Sequence, residues 1–467
     1  MTGNDISGTP PGDLRGRLLR ADALHAPAMG EVEALDGALF DIDGTGALAA
    51  VLRAGTDAHA QALAGAGGRL VTASSGTVLL PGLVDLHIHA PQYPQLGTAL
   101  DLPLEEWLME YTFPLEARYA DTAFAGRVYG QLVRDLLSVG TTTAVYFATI
   151  HDAATCLLAD ICLSAGQRAF VGRVAMDHPD TCPPDYRDDS PAAALAGTRA
   201  VIAHIRDHPD NVDARVRPMI CPRFVPACTD ALLAGLGALA AETGVPVTTH
   251  VSESDWEHDH VYDRHAMSDT ESLDRFGLLR PGSVLAHGCL LSESDMRRMA
   301  ERRTGVAHCP LSNAYFAGAV FPLRKALGLG LGVGLGSDIS GGPAATVWET
   351  ARQALVAARM LESGTDPELP PDARSACPEA RIDAATAFWL ATAGGADVLG
   401  LPVGRLAPGQ RFDALLIDPA ARLGGLAAWG LSGPEAPVRR LERLLYGTAR
   451  ANIAAVWVDG ARVAGAS

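Results

Sequence analysis

Residues 81–90 read Pro-Gly-Leu-Val-Asp-Leu-His-Ile-His-Ala, and this stretch decides the fold prediction. Its apolar run predicts a buried strand that ends in two histidines, His87 and His89, separated by one residue. Because side chains alternate along a strand, both imidazoles point to the same face. Two imidazoles at the carboxyl end of a strand suit a divalent metal such as zinc. A pair of buried structural histidines is the alternative interpretation at this point.

Seven further apolar runs alternate with helix-length segments along the chain. The eight predicted strands are Leu83–His89, Thr142–Phe147, Arg168–Val174, Arg215–Cys221, Val245–Val251, Ser283–His287, Thr304–His308 and Leu331–Gly336. Strands that are apolar throughout are typical of parallel strands buried on both faces. The sequence therefore predicts an α/β fold with a TIM-type (β/α)8 barrel over residues 78–400.

Short apolar stretches on both sides of the predicted barrel indicate a second, smaller domain. These stretches are Ala38–Ile42, Leu48–Leu52, Leu70–Thr72, Asp413–Ile417 and Ala455–Val463. We predict that residues 1–77 and 401–467 together form a small β-sandwich domain. The first 25 or so residues are expected to be mobile, and the proline-rich segment 364–378 is expected to be a surface loop.

Composition excludes several classes of protein. The 467 residues are 48% hydrophobic and carry a net charge of −17, so a phosphate backbone would repel the chain and nucleic acid is excluded as a partner. The first thirty residues lack the pattern of a secretory signal, and no apolar stretch approaches the ~20 residues of a membrane span. We expect a soluble, cytoplasmic protein. Its eight cysteines lack paired C-x-x-C spacing, which favours reduced thiols.

Residues that can bind a metal recur at the ends of the predicted strands. His250 ends the fifth strand, His287 ends the sixth, and Asp338 follows the eighth. In a (β/α)8 barrel the carboxyl ends of the strands meet at one mouth. With His87 and His89, these side chains predict a metal site there.

Other histidine and glycine patterns have plainer interpretations. The glycines of 328–336 lack a following Lys-Ser/Thr, so tight packing is favoured over a phosphate loop. His258, Asp259, His260 and His265 lie in a charged, helix-like stretch that reads as a solvated surface. His308 is expected to shape the pocket without binding the metal.

Several stretches carry a family pattern. They are Pro81–Gly97, Asp101–Pro114, Gly140–His151, Gly166–Val174, Pro222–Phe224, His250–Glu253, Ala286–Cys289, His308–Pro310, Gly334–Gly342, Gly409–Asp418 and Val456–Gly460. In them the chain resembles the amidohydrolase superfamily and, within it, the branch that deaminates guanine. The QY, PRF and YFATIH elements carry the resemblance to that branch, whereas the metal-site residues indicate only the superfamily.

The resemblance implies roles for individual residues. The implied zinc ligands are His87, His89, His250 and Asp338. The implied substrate contacts are Gln92, Arg223 and Phe224, and Trp107 is a further candidate for stacking on a flat base. Glu253 matches the proton shuttle, and His287 matches the histidine beside the metal-bound water. Relatives of this kind are commonly homodimers, so a homodimer is expected.

The expected reaction is hydrolytic deamination of guanine to xanthine and ammonia, a step of purine metabolism. A bound zinc can lower the pKa of its water from 15.7 to about 7, which makes hydroxide available for attack at C2. Asp338 or His287 would accept the water proton, and Glu253 would protonate the ring nitrogen and the leaving amine. Arg223 has only donors, so it would pair with O6 of guanine and reject the amino group of adenine.

The sequence leaves two alternatives to guanine deamination open. The run Leu311–Phe316 departs from the family pattern at the mouth of the predicted pocket, which allows another fused ring such as 8-oxoguanine or a pterin. A non-catalytic scaffold with the same fold is the alternative of a different class. The complete ligand set argues against the scaffold.

The number of metal ions follows from the lysine content. Barrels of this kind with two metals commonly bridge them through a carboxylated lysine on the fourth strand. Lys325 is the only lysine of the chain, and it follows the seventh predicted strand. One zinc per chain is therefore expected.

Overall fold

The computed structural model describes residues 12–374, 377–421, 423–424, 426 and 435–465. Its strands are β1 (Leu18–His25), β2 (Glu33–Ile42), β3 (Leu48–Leu52), β4 (Leu70–Thr72), β5 (Val78–Pro81), β6 (Leu83–His89), β7 (Thr141–Phe147), β8 (Arg168–Ala175), β9 (Val216–Pro222), β10 (Thr248–Val251), β11 (Val284–His287), β12 (Gly305–His308), β13 (Val333–Leu335), β14 (Ala414–Ile417), β15 (Ile453–Val458) and β16 (Ala461–Gly465).

The helices lie mainly between the strands of the central part of the chain. They are α1 (Asp57–Gly65), α2 (Leu104–Trp107), α3 (Phe113–Ala117), α4 (Thr122–Ser138), α5 (Asp152–Ala165), α6 (Pro191–Arg206), α7 (Asp230–Thr243), α8 (Asp255–His265), α9 (Asp269–Arg275), α10 (Glu293–Arg302), α11 (Pro310–Ser312), α12 (Leu323–Gly328), α13 (Val347–Ser363), α14 (Pro371–Arg374), α15 (Ala384–Trp389), α16 (Gly395–Leu399) and α17 (Pro437–Gly447). Among the described residues, every helix is too short or too polar to cross a bilayer.

The central strands form two parallel sheets, which confirms the predicted α/β class. One sheet has the order β6-β7-β8-β9, and the other has the order β10-β11-β12-β13. All eight predicted strands are present, and their bounds differ from the predicted ones by at most three residues. Every residue of β6 and β7 is buried, as expected for strands covered on both faces.

The two parallel sheets are connected by backbone contacts on both sides. At the outer edge of the first sheet, Ile220 of β9 forms an isolated parallel bridge with Val247, which precedes β10. Beyond β13, the Asp338 amide donates a hydrogen bond to the carbonyl of His87 (2.9 Å), and the His89 amide donates to the carbonyl of Ile339 (3.0 Å). These contacts bring the carboxyl ends of β6 and β13 together.

Strands from both ends of the chain share one mixed sheet. Its order is β16-β15-β14-β5-β1-β2-β3, and β4 pairs with β1. Phe40, Phe412 and Trp457 belong to one buried cluster of this region, so residues from both termini contribute to a single core. Strands from both terminal segments are thus hydrogen-bonded within one sheet.

Two local predictions need correction. Residues 18–25 were expected to be mobile, but they form β1, which pairs with β2, β4 and β5. Residues 1–11 lie outside the described part of the chain. The segment 364–378 contains the short helix α14 instead of loop alone, and residues 375 and 376 lie outside the described part.

A buried ionic network links the first parallel sheet to the mixed sheet. Arg168, at the start of β8, donates to both carboxylate oxygens of Asp413 (3.0 and 3.1 Å) and to Asp459 (2.7 Å). Arg411 also donates to Asp459 (2.5 Å). Burial alone would raise the pKa of Asp459, but Arg168 and Arg411 hold it below its usual value. Asp413 and Asp459 are therefore carboxylates that depend on nearby guanidinium groups.

Replacing Arg168 with methionine is expected to lower the free energy of unfolding by about 3–5 kcal/mol, because two buried carboxylates lose their common partner. The matched control is Arg199→Met, which removes an exposed guanidinium paired with Glu242. Chemical unfolding of both variants measures the difference. Equal stability of the two variants would contradict the assigned role of Arg168.

Candidate active site

Four histidines and one aspartate meet at the carboxyl ends of the parallel strands. The Nε2 atoms of His89 and His250 are 3.0 Å apart. The Asp338 carboxylate oxygen Oδ1 lies 3.1 Å from Nε2 of His87 and 3.5 Å from Nε2 of His89. His287 completes the cluster, with Nε2 at 3.9 Å from Oδ2 of Asp338. The structure thus brings together all five side chains that the sequence placed at strand ends.

The charge states in this cluster suit a divalent cation. Burial, with a further contribution from His87, holds the pKa values of His89 and His250 well below that of a free histidine, so both imidazoles are neutral. Burial alone would raise the pKa of Asp338, but His87 and its neighbours hold it well below the usual range. Neutral imidazoles and an ionised carboxylate are the ligands that zinc requires.

Buried nitrogen atoms without hydrogen-bond partners provide a test of whether a metal fits. Among the described residues, the buried Nε2 atoms of His87 and His287 have no hydrogen-bond partner, although each lies within 4 Å of the Asp338 carboxylate. Burying such groups without a partner is costly. A cation bound between the Nε2 atoms and Asp338 would take up the lone pair of Nε2 of His87 and balance the charge of the carboxylate, so the residues present fit a metal ion such as zinc.

Neighbouring groups orient the cluster. Nδ1 of His250 lies 2.6 Å from the carbonyl oxygen of Arg223, so this nitrogen carries the proton and Nε2 keeps its lone pair. The carboxylate of Asp85 accepts hydrogen bonds from the amides of His87 (3.2 Å) and Ser337 (2.9 Å), which ties β6 to the segment before Asp338. Asp338 itself has a positive φ of 49°, a conformation that non-glycine residues adopt at a cost.

A pair of groups suited to proton transfer lies beside the cluster. Oε2 of Glu253 is 3.6 Å from Nε2 of His287. Burial, reinforced by the charge of Asp338, raises the pKa of Glu253 to about 8. Nδ1 of His287 donates to Oδ1 of Asn313 (3.0 Å), and burial lowers the pKa of His287, so its Nε2 can accept a proton. The site therefore holds a proton donor and a proton acceptor within 4 Å of each other.

The predicted substrate contacts share one cavity with this cluster. The cavity is lined by His89, Gln92, Leu104, Trp107, Leu108, Arg223, Phe224, His250, Glu253, His287, Ser312, Phe316, Asp338 and Gly341. The rings of Trp107 and Phe316 have centroids 5.1 Å apart. Aromatic walls, a polar wall and the candidate metal cluster thus face one space, as a flat polar ring would require.

Known proteins resemble this chain along most of its length. A model of the amidohydrolase family matches residues 78–463. The chain belongs to the amidohydrolase family. The guanine deaminase of Homo sapiens is 37% identical to this amidohydrolase over 346 residues, which are 73% of each chain. The guanine deaminase of Escherichia coli K12 is 31% identical over 351 residues, 74% of each chain.

A solved structure shares the fold almost completely. The guanine deaminase of C. acetobutylicum, solved with guanine bound in its active site, has a TM-score of 0.84 and 29% sequence identity. The match covers 96% of this amidohydrolase and 99% of that chain. The resemblance predicted from the sequence stretches is therefore confirmed.

The structure of this amidohydrolase reveals one site residue that the sequence did not indicate. Glu116, on α3, is fully buried and binds two predicted substrate contacts: Gln92 donates to it at 2.9 Å, and Arg223 donates at 2.5 Å. Arg223 therefore keeps a carboxylate partner whether or not a ligand offers an acceptor. Glu116 lies two residues after the stretch Asp101–Pro114, and this position is the one signal in the sequence that could have identified it.

Two further buried acids hold the turn that carries Glu253. The Glu253 amide donates to Glu257 (2.7 Å), and the Ser252 amide donates to Asp269 (2.8 Å). Burial raises the pKa of Glu257, and the nearby Asp269 adds to this effect. Both acids lie in charged helices, α8 and α9, where acidic side chains are usually solvated, so their sequence context does not set them apart.

The histidines of α8 lie outside the metal cluster. His258 and His260 are half-buried, and neither belongs to the ligand groups found among the described residues. His265 differs from the predicted solvated surface: its side chain is buried and contacts Asp230 (3.0 Å) and Ser272 (2.7 Å). His308 is also buried and outside those ligand groups, and burial lowers its pKa to about 3.

Proposed function

We propose that this amidohydrolase removes the 2-amino group of guanine by hydrolysis, which gives xanthine and ammonia. The observation that carries the proposal is the shared cavity, in which the candidate metal cluster, Glu253 and the wall of Gln92 and Arg223 face one another. The relatives and the guanine-bound structure support the same substrate.

We propose His87, His89, His250 and Asp338 as the ligands of one zinc ion. Bound there, zinc would supply Lewis-acid chemistry that makes water acidic near neutral pH. His287 accepts a proton from water through Nε2. Asn313 accepts the hydrogen bond from Nδ1 of His287, so the ring proton stays on Nδ1 and Nε2 is unprotonated. Glu253, whose raised pKa keeps its carboxyl protonated near neutral pH, donates its proton to the ring nitrogen. It then regains the proton that His287 took from water and donates it to the departing amine, and the proton of the C2 hydroxyl restores the carboxyl as the carbonyl forms.

Gln92 and Arg223 are proposed to hold the polar edge of the base. Both carry N–H donors in the cavity, and guanine presents acceptors at O6 and at its ring nitrogens. Phe224 and Trp107, which line the same space, are proposed to stack on the faces of the ring. A flat purine would then be held by its edge and both faces.

A second candidate substrate is kept because of one observation. Phe316 lines the cavity and contacts Trp107, and it lies in the run Leu311–Phe316 that departs from the family pattern. An aromatic side chain there could favour a different fused ring, such as 8-oxoguanine or a pterin.

A screen for ammonia release tests the substrate assignment. Guanine, 8-oxoguanine, isoxanthopterin and adenine are compared by kcat/KM with metal-replete protein. Guanine is expected to give the highest value. A tenfold higher value for a pterin or for 8-oxoguanine would replace guanine as the substrate, and release from none of them would favour a non-catalytic scaffold.

One zinc per chain is expected in metal-replete protein, and Lys325→Ala is expected to leave zinc content unchanged. Lys325 is half-exposed and lies 3.6 Å from Glu293, and it is not among the residues of the candidate metal cluster. Elemental analysis of wild type and variant measures both values. Two tightly held metals per chain, or loss of uptake in Lys325→Ala, would refute the single-zinc assignment.

We further infer that β6 to β13 close into a TIM-type barrel within the predicted range 78–400, of which Val78–Pro81 form β5 of the mixed sheet. The bridge at Ile220 and Val247 and the hydrogen bonds between the ends of β6 and β13 support closure. Residues 1–77 and 401–467 are proposed to form the second domain, in which the mixed sheet would fold as a β-sandwich. The homodimer and the cytoplasmic location stay predictions.

A further inference from the structure

We infer that Glu116 is a specificity-determining positioning residue. Its carboxylate fixes the Gln92 amide and the Arg223 guanidinium so that this wall of the cavity offers a substrate only N–H donors. The inference rests on the proposed function and deepens it. Glu116 does not itself line the cavity, so it acts through the two side chains that it binds.

The hydrogen bonds of Glu116 to Gln92 and Arg223 join three separate parts of the fold. Gln92 lies in the 3-10 segment after β6, Arg223 follows β9, and Glu116 lies on α3. Phe113, one turn before Glu116 on the same helix, lies beneath the guanidinium of Arg223 at 4.8 Å. Because α3 holds Arg223 both by an ion pair and by a ring face, the guanidinium has little freedom to turn.

The orientation of the Gln92 amide follows from its two partners. Its nitrogen donates to Oε1 of Glu116 (2.9 Å), and its oxygen accepts from the amide of Ser340 (3.1 Å). The reversed orientation would place the amide oxygen against a carboxylate and the NH2 group against another N–H donor. The second N–H of Gln92 and further N–H groups of Arg223 are thereby left for a ligand.

An all-donor wall separates purines by the group at C6. Guanine has a carbonyl acceptor there, whereas 2,6-diaminopurine has an amino donor but carries the same 2-amino leaving group. Sites built on such hydrogen bonds reject the wrong analogue by up to about 10⁴–10⁵-fold. A glutamine at position 116 has an NH2 donor in place of one of the two carboxylate oxygens, so it cannot keep both hydrogen bonds in their present geometry. Gln92 would then be free to turn its oxygen toward a 6-amino group.

The test is the ratio of kcat/KM for guanine to that for 2,6-diaminopurine in wild type and in Glu116→Gln. The ratio is expected to fall at least tenfold in the variant, while zinc content and unfolding midpoint stay close to those of wild type. Glu110→Gln, the same change at an exposed position shortly before α3, is the matched control and should keep the wild-type ratio. An unchanged ratio in Glu116→Gln, even with lower activity on both bases, would overturn the inference.

A binding measurement separates this inference from the proposed function. Hypoxanthine keeps the 6-oxo group but has no 2-amino group to lose, so its affinity by calorimetry reports the wall alone. We expect binding at least tenfold weaker in Glu116→Gln than in wild type. A wild type that binds hypoxanthine without deaminating guanine would refute the proposed function only. Equal hypoxanthine affinity in both proteins, or a wild type that does not bind hypoxanthine, would refute the role of Glu116.

Discussion

Replacing Glu253 with glutamine is expected to leave zinc bound and to lower kcat by about 10²–10⁴-fold, the usual contribution of a general acid or base. Glu253 lines the cavity and lies 3.6 Å from Nε2 of His287, but it is not among the proposed zinc ligands. The amide keeps the size of the side chain and leaves the backbone hydrogen bond from Glu253 to Glu257 untouched, but it cannot give or take the proton. The loss should therefore fall on the chemical step.

Steady-state kinetics on guanine and elemental analysis of the same samples measure the effect of Glu253→Gln. The matched control is Glu301→Gln, an exposed glutamate at the end of α10, which should behave as wild type. Retained activity in Glu253→Gln, or a loss of zinc in proportion to the loss of activity, would show that its role is wrongly assigned.

Replacing Asp338 with alanine is expected to abolish both tight zinc binding and deamination. Asp338 is the one carboxylate within 3.5 Å of both His87 and His89 among the described residues, and a divalent ion would lose its only anionic ligand. Zinc present at 1,000 times its Kd stabilises a folded protein by about 4.1 kcal/mol. Wild type should show a zinc-dependent rise in the unfolding midpoint, and the variant should lack it.

Proton competition gives a further readout for the same metal centre. Because burial holds the pKa of His89 and His250 well below 6.5, these imidazoles stay neutral through neutral pH. Zinc content of wild type should therefore persist through about pH 6.5, the usual pKa of histidine, and fall only in buffer well below that value. Zinc retained by Asp338→Ala at wild-type affinity would contradict the ligand assignment.

The central strands could be predicted because each is a continuous apolar run. Leu83–His89 matches β6 at both ends, since both faces of the strand are buried. β1 was missed because its sequence, with Arg20 and Asp22 among apolar residues, does not read as a buried strand. β5 was missed because a single residue separates it from β6, so the two strands read as one apolar run.

The candidate metal ligands could be predicted because their chemistry is concentrated at strand ends. Glu116 could not, because its partner Arg223 lies 107 residues away and a single acid on a helix reads as solvated. Glu257 and Asp269 could not be predicted either, because acids on charged helices read as solvated and their partners are backbone amides of a turn. Supporting residues of this kind are identified by burial and contact, which a single sequence does not contain.

The most direct test of the account is the product formed from guanine. Metal-replete protein and protein stripped of metal by a chelator are incubated with guanine, and xanthine and ammonia are quantified together. We expect one xanthine and one ammonia for each guanine consumed, with activity that is lost when the metal is removed and restored by zinc. Protein with a full complement of zinc that forms no xanthine from guanine would contradict it.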